Sequence, residues 1–162
     1  MDLGGAIGEL AQALQASPLG HAARRSPSLY PAANVVHLAG MAALLGSAVL
    51  MDLRILGLAK QLPLAPLVRL LSRTAIAGLL LIAPSGLVLF AADAASLVNS
   101  PIFRLKLCAI ALALAGAIMF RLLYGDLDAH PVRAPAPAKV LAGASLALWP
   151  LAGALGRLIG YE

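Results

Sequence analysis

TAIAGLLLIAPSGLVLFAA, from Thr74 to Ala92, is nineteen residues long and holds no Asp, Glu, Lys or Arg. A bilayer core of about 30 Å takes about 20 residues of α-helix to cross. The stretch therefore reads as a membrane span without help from its neighbours. Working outward, charge-poor runs also occupy Ser26 to Met51, Leu107 to Phe120 and Val140 to Gly156. Pro27 and Pro31 place the start of the first helix near Ala32. The two later runs reach full length only by drawing basic residues into the membrane edge, where long side chains can snorkel.

The fold expected is an all-α integral membrane bundle of four helices over residues 31–162. The helices are placed at about 32–56, 68–92, 102–124 and 138–160. Breaks mark them: QLPLAPL at Gln61 to Leu67, NSP at Asn99 to Pro101, and the proline-rich HPVRAPAPAK at His130 to Lys139, read as extended. Ser100 is an N-cap candidate before a proline at the first helical position. Pro84 and Pro150 each predict a kink inside a span.

Residues 1–30 form a separate N-terminal segment. Leu3, Ile7, Leu10 and Leu14 recur at helical spacing, which predicts a short amphipathic helix at the membrane interface, with a frayed tail as the alternative. The first twenty residues lack a basic leader and carry Asp2 and Glu9, so the first span itself is read as the insertion signal.

The composition agrees with lipid as the solvent. The chain of 162 residues is 61% hydrophobic and 12% charged, against about 25% charged in soluble domains. Its net charge of +5 would invite a nucleic-acid reading in a soluble domain. Here the basic residues flank apolar runs and no aromatics interleave with them, so nucleic acid is not expected as a partner. The single cysteine, Cys108, excludes an internal disulfide and a cysteine-rich metal site.

Counting cations sets the orientation. Arg54, Lys60, Arg69, Arg73, Arg121, Arg133 and Lys139 fall on the side of the first and third loops. Arg24, Arg25, Arg104, Lys106 and Arg157 fall on the other. The excess places both termini outside the cytoplasm, hence periplasmic in a bacterial inner (plasma) membrane.

Ionisable residues at membrane depth are costly and mark function by default. His37 lies about one turn inside the first span, as a ligand for haem iron, a proton relay, or a histidine hydrogen-bonded within the bundle. Arg104 and Lys106 lie one turn inside the third span, and Arg157 returns to the same level at the end of the fourth. The four residues suit an anionic group or a quinone oxygen. Alternatively, Arg104 and Arg157 snorkel to head groups while Lys106 alone points inward. Asp52 and Arg54 read as a topology-fixing cap or an ion pair with a nearby loop. His21 and His130 read as exposed, and Met41 as packing. Two small-residue stripes, Gly40–Ala43–Ser47 and Ala152–Gly156–Gly160, predict close helix approach. Soluble-enzyme motifs are absent from the sequence.

His37 with its stripe, MDLRILG (Met51 to Gly57), FRLKL (Phe103 to Leu107) and GRLIGY (Gly156 to Tyr161) resemble a family of uncharacterised small four-helix bacterial membrane proteins. The resemblance runs from SPLG at Ser17 to the C-terminus and implies no activity. More distantly the chain is similar to the HemJ/CopD-type haem-binding membrane modules, which share a histidine in the first helix and a lysine early in a later one. His37 and Lys106 occupy those positions, with Arg104 where that pattern has tryptophan. The resemblance implies haem b on His37; the residues themselves add quinone as a further cofactor candidate and place Lys106, Arg104 and Arg157 to hold anionic groups. The function expected is a b-type haem or quinone-interacting redox module. The alternative is a non-enzymatic accessory or assembly subunit of a larger membrane complex. The expected partners are the bilayer, other membrane subunits or further copies of the chain.

Overall fold

A computed structural model describes residues 3–124 and 134–161. Every regular element among them is helical: α1 (Leu3–Gln15), α2 (Pro18–Arg25), α3 (Leu29–Leu56), α4 (Leu64–Ala92), α5 (Ala94–Leu97), α6 (Pro101–Tyr124) and α7 (Ala136–Leu158), closed by a 3-10 turn at Ile159–Tyr161. Four of these helices, α3, α4, α6 and α7 with its closing turn, are long and apolar enough to cross a membrane. The protein is an all-α, multi-pass membrane bundle.

The helix ends follow local chemistry. Gly57 ends α3 at φ +112°, with its N–H donating to the carbonyls of Leu53 and Arg54. That left-handed conformation carries little penalty without a Cβ. The Ser100 hydroxyl accepts from the Phe103 N–H at 3.0 Å ahead of α6, the capping role its place before Pro101 predicts.

Three helices begin earlier than the sequence pattern implies: Pro31 falls in the first turn of α3, Pro66 in the first turn of α4 and Pro137 in the first turn of α7. A first-turn N–H has no intrahelical acceptor, so proline forfeits no helix bond there. Residues 130–133 of the proline-rich connector lie outside the described residues. Pro84 and Pro150 are carried inside continuous helices.

α3 packs along α4 on one side and α7 on the other, and α6 packs on α7. The closest approach is between α3 and α4 at two glycines. A Cβ on Gly40 would lie 2.8 Å from the Gly78 carbonyl oxygen, and one on Gly78 would lie 2.7 Å from the Gly40 oxygen. Backbone contact of this kind replaces the hydrophobic drive that lipid cannot provide. Along the middle of the bundle, Leu44 and Ala48 of α3 meet Ala113 of α6 and Trp149 of α7. α4 and α6 are not packed along their lengths. They meet at the Phe90–Phe103 ring stack, with centroids 5.4 Å apart, and leave a cleft toward the opposite end.

The N-terminal helices dock on the end of α4. Ser17 caps α2 through the Gly20 N–H at 3.3 Å. Gly20 approaches the Ala91 carbonyl so closely that a Cβ would lie 2.9 Å from it. Arg24 donates to the Ala92 carbonyl at 3.1 Å and to the Gln15 carbonyl at 2.8 Å. The Gln15 side chain accepts from the Ala95 N–H at 2.8 Å. Carbonyls and N–H groups that helix termini leave without partners are thus satisfied across elements.

Candidate functional site

His37 faces α4, inside the α3–α4 pair. Its Nδ1 lies 3.1 Å from the Ser85 hydroxyl. Ser85 is 5% exposed, and its Oγ lies 2.5 Å from the Leu81 carbonyl and 3.2 Å from that of Ile82. A serine hydroxyl has one hydrogen, and the short contact to Leu81 takes it. Toward His37 the Ser85 oxygen is therefore an acceptor and Nδ1–H the donor. The Ile82 carbonyl faces the same imidazole. The Ser85 acceptor fixes the tautomer that carries hydrogen on Nδ1, which leaves the lone pair on Nε2.

Two glycines make room for the site. A Cβ on Gly86 would lie 3.1 Å from His37 Cε1, and one on Gly156 would lie 3.1 Å from Lys106 Nζ. The small-residue stripe on α7 thus serves in part to seat a lysine rather than a neighbouring backbone. Lys106 stands within electrostatic reach of His37. Neither makes an ion pair with a carboxylate among the described residues. A cation and an imidazole brought together at membrane depth are an expensive arrangement to keep without a function.

Arg104 and Arg157 are elsewhere. Both are exposed. Arg104 donates to the Asn99 carbonyl at 3.3 Å, and the Arg157 guanidinium lies over the Tyr161 ring, 4.9 Å from its centroid. Of the four sequence candidates, the structure joins His37 and Lys106 and leaves the two arginines on the surface. His21 is exposed, and Met41 packs toward Gly153 of α7.

For haem, the fit is partial. An imidazole whose Nδ1–H is held by an oxygen acceptor and whose Nε2 is available matches an axial ligand. The arginines expected to hold propionates are engaged away from it. No group of three His, Cys, Asp or Glu side chains gathers among the described residues. A lined space of about 680 Å³ lies toward the other end of the bundle, and His37 is not among its lining residues.

At that other end sit two residues whose surroundings the sequence did not disclose. Arg54 is 4% exposed. It donates to the Leu62 carbonyl through Nε at 3.0 Å and Nη2 at 2.8 Å, and to the Lys60 carbonyl at 3.4 Å. It caps the α3–α4 loop from inside. Asp52 is 2% exposed, and its Oδ2 has no hydrogen-bond partner among the described residues. The cap or ion-pair expectation therefore holds for Arg54 as a cap and fails for Asp52. The signal available was Asp52's place one turn inside the span, on the face of α3 that meets α7. Ser85 carries no signal of its own in the sequence, because its partner lies 48 positions away.

No protein-family model matches the chain, and neither does any curated protein or solved structure.

Proposed function

We propose that the protein is a small redox module of the bacterial inner membrane, with periplasmic termini, that binds a quinone head group at the His37–Lys106 end of the bundle. The observation that supports this is the fixed imidazole, with Nδ1–H on Ser85 and the Lys106 ammonium within electrostatic reach. Nε2 is the base that accepts a proton from a quinol hydroxyl. The Lys106 ammonium stabilises the oxygen as charge develops on it. The two electrons and the second hydroxyl proton pass to a redox partner in the membrane, which is where other subunits enter the reading. Haem b on His37 is the second reading, and the oriented imidazole is the observation that favours it.

One preparation separates these readings. The protein in detergent is titrated with a short-chain quinone while thermal unfolding and the visible spectrum are followed. Quinone is expected to raise the unfolding midpoint. His37→Ala and Lys106→Met are expected to weaken quinone binding about tenfold each, the worth of one hydrogen bond to a charged or strongly polar group. A Soret band that disappears in His37→Ala replaces quinone with haem. A colourless protein with no quinone response and a stoichiometric membrane partner sinks both, in favour of an accessory subunit.

A further inference from the structure

The second end of the bundle carries a site of its own. The cleft of about 680 Å³ is walled by α4 and α6, whose lining includes Arg73 and Arg121, and floored by α3 and α7, which contribute Asp52 and Trp149. α4 and α6 are not packed together there, so the cleft opens sideways, toward the acyl chains in a bilayer. Most of its lining residues are apolar. Into this apolar space come charges of both signs.

Arg69, Arg73 and Arg121 all line it, and Arg73 stands two and a half helical turns from the start of α4. On the floor Asp52 is 2% exposed with Oδ2 unpartnered among the described residues, faced by the Ser145 hydroxyl of α7. A buried carboxyl oxygen without a partner carries a desolvation cost that a donor from a ligand would relieve. An occupant that answers only the arginines is an anion. One that answers only Asp52 is a cation, and it would have to pass several guanidiniums. An occupant that answers both is zwitterionic, and the lateral opening and apolar walls call for hydrocarbon chains.

We propose that this cleft binds a phospholipid whose head group carries an ammonium as well as a phosphate. The guanidiniums take the phosphate, Asp52 takes the ammonium, and an acyl chain runs along the apolar wall past Trp149. The site is independent of the quinone reading, since it uses none of the residues at the His37 end.

Trp149 is the only tryptophan in the chain, so its fluorescence reports on the cleft. The full-length protein in detergent is titrated with lipids carrying brominated acyl chains, which quench tryptophan on contact. Phosphatidylethanolamine is expected to quench saturably. Phosphatidic acid and phosphatidylglycerol should bind about tenfold more weakly, and diacylglycerol should not saturate. Asp52→Asn should abolish the preference for the ammonium head. Arg73→Gln combined with Arg121→Gln should weaken all three phospholipids about tenfold. O-phosphoethanolamine, the head group without chains, should fail to displace the lipid. Equal quenching by all four lipids on the intact protein overturns the proposal without any variant. So does an ammonium preference that survives Asp52→Asn in protein of unchanged helicity, or displacement by the free head group at the lipid's own concentration.

Discussion

Gly78→Ala is expected to destabilise the bundle by about 3 kcal/mol, the upper end of the usual cost of overpacking. The added methyl carbon would lie 2.7 Å from both the Gly40 carbonyl oxygen and the Leu44 nitrogen, and 3.2 Å from the Ala43 Cβ. Two of those three atoms are backbone and cannot rotate away. The opposing gain, alanine's better helix propensity, is about 1 kcal/mol, so the clash wins. Gly46, on the facing helix α3, has open space where a Cβ would go, and Gly46→Ala should be neutral or slightly stabilising. Thermal unfolding of the two variants in one detergent checks the pair. Equal midpoints would refute the close crossing. The Gly78 variant should also respond less to quinone, because the same crossing sets the distance between His37 and Ser85.

Arg54→Leu is the second large effect, expected at about 3 kcal/mol. Arg54 is 4% exposed, and its guanidinium donates to two loop carbonyls, that of Leu62 through two nitrogens. Hydrogen bonds to charged groups contribute about 1.5–3 kcal/mol, and removing one partner strands the other. Leucine matches much of the buried stem and none of the bonds. Arg54→Lys should recover only part of the loss, since an ammonium on a flexible stem does not reproduce a planar fork. The comparison needs only unfolding midpoints and the protease sensitivity of residues 57–63. A lysine variant as stable as the native protein would show that charge alone, rather than the fork, secures the loop.

The spans were legible because lipid solvent imposes a simple rule, a long apolar run with its cations at the ends. Thr74–Ala92 satisfied it alone, and α4 contains it whole. The extra first turns of α3, α4 and α7 were hidden because proline normally ends a helix pattern, while the first turn is the one place it does not. The level shared by His37 and Lys106 followed from counting spans. The partners of those residues did not follow, because whether Arg104 points at His37 or at the Asn99 carbonyl is a matter of helix rotation, which an almost uniformly apolar helix leaves unwritten. Asp52 shows the same limit in reverse. Its position near a helix end looked like a cap, and only the packing of α7 against α3 put it beyond water.

The order of packing has a consequence for assembly. α3 with α4, and α6 with α7, are each neighbours in sequence, and the two pairs share the α3–α7 seam and the Phe90–Phe103 stack. The chain can therefore enter the membrane as two successive hairpins, each complete in its own contacts before the other arrives. Joining them is a later and separate event, and it is this event that buries Asp52 and creates the wall beside Trp149. Co-expressed halves divided between α5 and α6 should find one another in the bilayer.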